Sequence, residues 1–143
     1  MKYKDIITLV QGGLLAASAH SLPVEHYYKF HKFRRAVTRA FEELGQEQNS
    51  LMAELGVTKQ QIDTKKDDPS VIAFEKANGQ LLDETVELKL TARIPYEFYR
   101  GIYDENRTER GDIFANFLVE ELVLDYLFTE PIEVAVEGDD DEK

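Results

Sequence analysis

Residues 23–56 read PVEHYYKFHKFRRAVTRAFEELGQEQNSLMAELG, and this stretch decides the fold. Pro23 follows Leu22 and suits the first turn of a helix, where its missing N–H has no intrahelical partner. Apolar positions then recur at spacings of three and four: Tyr27, Phe30, Val37, Phe41, Leu44, Leu51 and Leu55, with Arg34 and Gln48 completing the series. Four heptads end at Gly56, a natural stop. A second line, Tyr28, Phe33, Ala36 and Ala40, widens the apolar face beyond a coiled-coil seam, so the helix is expected to pack against more than one neighbour. Gly45 in its middle costs about 1 kcal/mol relative to Ala and gives the helix a place to bend.

Working back from Pro23, Lys2 and Lys4 precede an apolar run ending in Ala17-Ser18-Ala19, the outline of a secretory signal. Asp5 sits where such a signal needs positive charge, and Gln11-Gly12-Gly13 interrupts the run. The stretch reads instead as a first core helix that begins near Asp5, its cap, and buries Ile6, Leu9, Val10, Gly13, Leu14 and Ala17. No later stretch approaches the ~20 consecutive apolar residues of a membrane span, and the chain is expected to be soluble, with no membrane partner.

Working forward, residues 57–70 are polar and read as a connector, closing on Asp67-Asp68-Pro69, a capped helix start. A third helix is expected from about Pro69 to Asp83, returning along the long one with Val71, Phe74, Leu81 and Leu82 inward. The period then changes: Val86, Leu88, Leu90, Ala92 and Ile94 alternate with Glu87, Lys89, Thr91 and Arg93, the pattern of a half-buried strand. Its candidate partner is the alternation of Ile132, Val134 and Val136. Between them lie an aromatic segment at 95–100, a polar loop from Asp104 to Gly111, and a helix from about Asp112, its N-cap, to Leu127 with Ile113, Phe114, Phe117, Leu118, Leu122 and Tyr126 at core spacing. The expected fold is α+β and mainly helical: a long central helix packed with two to three further helices and a small two- or three-stranded sheet. Residues 1–136 are expected to form one helical-rich domain, and 137–143, Glu-Gly-Asp-Asp-Asp-Glu-Lys, a disordered acidic tail.

Composition agrees with one domain. The chain has 143 residues, 43% apolar and 31% charged, ordinary globular usage that excludes disordered and collagen-like classes for its bulk. Twenty-eight acids against 17 bases give a net charge of −11, which argues against broad nucleic-acid binding, since that rests on displacing phosphate counterions with Lys and Arg. The tail carries five acids and one Lys, −4 of that total. With no Cys there is no disulfide, thiol nucleophile or thiolate metal site, which suits a reducing cytoplasm.

The residues imply no cofactor, no metal and no enzyme. His20, His26 and His31 are separated by six and five positions, which does not align them as an i, i+4 ligand pair. Glu121 and Asp125 share a face of the last helix, where a cation site competes with a plain solvated surface. Arg110-Gly111-Asp112 and the sequon Asn106-Arg107-Thr108 are short enough to arise by chance. Gly12-Gly13 lacks the strand and Lys-Ser or Lys-Thr of a phosphate loop.

One local feature stands against the overall acidity. From His26 to Phe41 there is no acid, while Lys29, Lys32, Arg34, Arg35 and Arg39 all fall there. Lys32, Arg35 and Arg39 share one face, with Tyr28 beside them as an anchor. The stripe is either a docking surface for an acidic partner or for phosphates, or an exposed face paired with the chain's own acids, the tail included.

An apolar first helix leading to Leu22-Pro23, a Tyr- and Lys-rich long helix ending near Met52-Ala53-Glu54-Leu55-Gly56, a polar connector, and a short helix with Phe74-Glu75-Lys76 and Leu81-Leu82 running into Val86-Glu87-Leu88 resembles a family of small uncharacterised bacteriophage proteins. The resemblance covers about residues 5–100. It implies a protein encoded among phage structural genes and acting in the virion or its assembly. The function expected is thus a non-enzymatic phage or prophage protein, located in the bacterial host's cytoplasm or the virion, that binds other phage structural proteins or further copies of itself. The alternative is an acidic inhibitor that imitates nucleic acid to block a host enzyme, which needs carboxylates spaced over the folded surface.

Overall fold

Helix α2, Val24–Leu55, runs unbroken for 32 residues, about 48 Å at 1.5 Å per residue. The computed structural model that contains it describes residues 1–88, 90, 93–108 and 111–129. Pro23 is its N-cap, and Gly56, at φ 68°, closes it in the left-handed conformation that glycine adopts without a Cβ clash. The buried seam is His26, Phe30, Phe33, Val37, Ala40 and Leu44. It keeps Phe30, Val37 and Leu44 of the expected series but joins them to the second line, through Phe33 and Ala40, and leaves Tyr27 and Phe41 exposed. The reason is Arg34: a seam through 27, 34 and 41 would bury a guanidinium, at a desolvation cost that packing does not offset.

Around this seam the chain is mainly helical, with six α-helices among the described residues. Helix α1, Tyr3–Gln11, packs between α2 and α6, Phe117–Leu127, and α4, Pro69–Leu82, returns along α2. Helix α4 has the expected start, with Asp68 accepting from the Ser70 N–H at 2.8 Å. The main core joins α1, α2 and α6 to Ile94, Tyr99, Ile102, Phe114 and Phe128. A smaller cluster of Val57, Val71 and Phe74 closes the far end of α2.

The expected sheet is absent among the described residues. Residues 86–88, 90, 93 and 94 form no ladder: the run touches its neighbours at single bridges, Thr85 with Lys2 and Ile94 with Phe128. Val86, Leu88 and Leu90 still pack on the core while Glu87 is exposed. Among the described residues the period of two therefore corresponds to Val86, Leu88 and Leu90 lying on a helical core, where side-chain burial by itself favours alternation. The one ladder described is the two-residue pair of β1, Arg107–Thr108, and β2, Gly111–Asp112, inside the expected loop. Lys89, Thr91, Ala92, the proposed partner Ile132, Val134 and Val136, and the acidic 137–143 lie outside the described residues.

Two short helices stand where no helix is expected, one in the 57–70 connector and one from the end of the aromatic segment to the start of the polar loop. Helix α3, Lys59–Thr64, is started by a reciprocal cap between Thr58 and Gln61, and α5, Tyr99–Glu105, follows a 3₁₀ turn at Tyr96–Phe98. Helix α6 starts five residues later than expected. Asp112 caps only a 3₁₀ turn, Ile113–Ala115, and Asn116 restarts the chain by accepting from the Leu118 and Val119 N–H groups. That restart changes the phase, so Val119, Val123 and Leu127 are buried while Phe117 and Leu118 are 69% and 57% exposed.

Helix α1 ends at Gln11 instead of running through Ala17, because Gly13 turns the chain at φ 92° into the 3₁₀ turn Leu14–Ala16. Asp5 sits in its third position, accepting from the Lys2 N–H at 3.0 Å. Gly12 explains the pair's other half: a Cβ there would fall well inside contact with Val119 Cγ2 of α6. Gly45 has nothing within 4 Å of an added Cβ and α2 continues across it. Gly12→Ala is thus expected to destabilise by about 1–3 kcal/mol through overpacking, with recovery in the Gly12→Ala/Val119→Ala double variant. Gly45→Ala is expected to stabilise by about 0.5–1 kcal/mol. Denaturant unfolding checks both, and equal effects at the two glycines would refute the α1–α6 contact.

Candidate functional site

The five cations of the sequence stripe divide into two groups. Arg34 and Lys29 belong to the fold: Arg34 Nη1 donates to the Ala17 carbonyl at 2.7 Å with its guanidinium 5.1 Å from the Phe30 ring centroid, and Lys29 Nζ donates to the Arg93 carbonyl at 3.3 Å. Lys32, Arg35 and Arg39 instead line a cleft of about 420 Å³ between α2 and residues 86–88. Ala36 and Ala40 lie on the same stretch of α2 and are too small to fill the space. Val86 and Leu88 form the opposite wall.

The cleft is basic but not uniformly so. Glu43 and Glu87 also line it, yet among the described residues none of Lys32, Arg35 and Arg39 lies within ion-pair distance of an acid. The described ion pairs all form elsewhere. Tyr28 continues the line one turn earlier, exposed, with Lys32 Nζ 4.9 Å from its ring centroid. Of the four residues singled out from sequence, three line the cleft, and Tyr28 lies outside its lining beside Lys32. The other wall was missed as part of a site. The only signal for it was the apolar alternation of Val86 and Leu88, which identifies a packed run without saying which helix it crosses.

The remaining candidates disperse. His20 stacks on Tyr27, ring centroids 6.3 Å apart, while His26 is buried against Phe98 at 4.9 Å. Among the described residues no three His, Asp or Glu side chains converge as a metal site. Glu121 and Asp125 are exposed on α6. Their neighbour Glu120 accepts from the Tyr99 hydroxyl at 2.5 Å, and burial, followed by this bond and the carboxylate charge, pushes the Tyr99 phenol above its ordinary value. Tyr99 packs edge-on to Phe114 and Phe128, so the pair anchors an aromatic core.

The sequon asparagine is likewise structural. Asn106 is 6% exposed, and its side chain bonds the backbone N–H and C=O of Ser18 and the carbonyl of Ile102, each at 2.8 Å. Beside it the Glu105 carboxylate accepts from the Ser18 hydroxyl, from the His20 N–H at 2.7 Å and from the Ser21 N–H at 2.8 Å. Together they hold residues 17–22, the approach to α2 on which the Arg34 bond also rests. The sequence predicts no helix to supply this clamp, because α5 is seven residues long and too short for periodicity to register.

Burial alone would raise the Glu105 pKa, but the hydrogen bonds from Ser18, Ser21 and His20 outweigh it and hold the carboxyl at about 2. Its folded value lies below the ordinary carboxylate value of about 4.3, so its stabilisation is complete above that value and lost as pH falls toward 2. Glu105→Gln is expected to lower stability at pH 7 by about 1–3 kcal/mol and to flatten the acid limb of the stability–pH curve. Thermal melts from pH 7 to pH 2 test this, and an acid limb unchanged by the substitution would remove Glu105 from the account. No protein-family model matches the chain, and neither a curated protein nor a solved structure does.

Proposed function

We propose that this chain is a non-enzymatic interaction protein that seats an acidic surface of a protein partner against the α2 cleft. The observation that supports it is the trio Lys32, Arg35 and Arg39, without an ion pair among the described residues and facing the apolar side chains of Val86 and Leu88. Cations fixed on one face of a rigid helix steer an acidic partner and set its register, while the apolar wall and Tyr28 offer contact area once water is excluded. The non-enzymatic part of the reading rests on the sequence, which offers no nucleophile and base at a defensible spacing. Its setting comes from the phage resemblance: a virion or assembly protein of a phage or prophage-like element, working in the host cytoplasm or the particle, with other structural proteins or a second copy of itself as partner.

Affinity capture from phage-bearing cells, with bound proteins identified by mass spectrometry, separates the readings. The wild-type chain is expected to retain a phage structural protein with an acidic surface. Arg35→Glu/Arg39→Glu is expected to lose it by tenfold or more at 0.15 M salt, with an unchanged melting temperature. Equal retention by both chains would overturn the cleft as the docking site. Retention of a host DNA-binding enzyme by both would favour the nucleic-acid mimic instead.

A further inference from the structure

The cleft carries three cations against two lining acids, and none of the three forms an ion pair with a described acid, in a chain whose net charge is −11. We infer that it is a carboxylate-binding groove whose resident occupant is this chain's own acidic run, Asp139-Asp140-Asp141-Glu142, held there in cis until an acidic partner displaces it. This rests on reading the cleft as a dock for acidic surfaces and adds how that dock is regulated.

Reach favours the contact. Ile94 N–H donates to the Leu127 carbonyl and Thr129 N–H to the Ile94 carbonyl, both at 2.9 Å, which ties residue 129 to the run that forms the cleft wall. Leu88 is six positions from Ile94, so the wall lies within roughly 20 Å of that tie at about 3.3–3.6 Å per residue. Asp139 is ten positions beyond Thr129, enough to span on the order of 33 Å. The acids therefore reach the cleft with slack, and tethering sets a local concentration of about millimolar, which fills a site that binds the free run with a Kd about tenfold below that concentration.

The lining also selects among anions. A compact phosphate would bring its whole charge close to Glu43 and Glu87 as well as to the cations. Successive carboxylates on an extended backbone instead meet Lys32, Arg35 and Arg39 one at a time, since these cations are spread over two turns of α2. An acidic partner then competes for the same cations with more contact area, so the run suppresses weak acidic ligands and admits a matched one.

The test uses the full chain and a tail-neutral variant, Asp139→Asn/Asp140→Asn/Asp141→Asn/Glu142→Gln, with a fluorescent peptide of residues 137–143 as probe. Anisotropy is expected to show the peptide binding the variant at least tenfold more tightly than the wild type, weakening with salt. Adding Arg35→Gln/Arg39→Gln to the variant is expected to abolish binding. Zero-length carbodiimide coupling of the wild type is expected to join Lys32 to residues 139–142 within one monomer, at a yield independent of protein concentration. Equal peptide binding by wild type and variant, or coupling only between molecules, overturns cis occupancy and leaves the docking reading standing. No binding by the variant overturns the occupancy too, and the docking reading falls separately if partner capture also survives Arg35→Glu/Arg39→Glu.

Discussion

A 32-residue helix owes little of its persistence in water to propensity, and α2 is held by burying one seam, His26, Phe30, Phe33, Val37, Ala40 and Leu44. Fully burying a side chain the size of Phe is worth about 1.5–3 kcal/mol, so the seam outweighs any single cap or ion pair. Helix α1 lies on it, α6 lies on α1 with Gly12 permitting the approach, and α4 returns along it. The exposed side of α2 follows from the same constraint. Once the seam is inward, positions 28, 32, 35 and 39 must point away from the core.

The division of the basic residues shows how one helix serves both core and surface. Arg34 lies at the edge of the seam, and its charge is accommodated by the Ala17 carbonyl and the Phe30 face. That carbonyl belongs to the segment fastened by Glu105 and Asn106, whose bonds span more than eighty positions of sequence. The clamp therefore sets how the chain enters α2, and α2 in turn sets where Lys32, Arg35 and Arg39 stand. Stability of the approach and presentation of the cleft are linked through one backbone.

Where sequence reading failed, it failed for identifiable reasons. The alternation from Val86 predicts a strand, but a period of two records which side chains are buried and not what the backbone pairs with, and the described residues of that run form no ladder. Helix α6 is apolar nearly all round, so its buried face was undetermined until Asn116 fixed its starting phase. Helices α3 and α5 are six and seven residues long, too short for periodicity to register.

The sequence by itself determined the long helix and its two ends, the capped start of α4, the predominance of helix, and the cationic face of Tyr28, Lys32, Arg35 and Arg39. These are local properties, written in spacing, caps and the conformational limits of Pro and Gly. Only the tertiary structure decided which line of α2 turns inward, where the chain reverses at Gly12-Gly13, and that Val86 and Leu88 wall a cleft against the basic face. Those outcomes depend on contacts between residues distant in sequence, where the desolvation of one guanidinium or the fit of one glycine chooses among patterns that local spacing leaves equivalent.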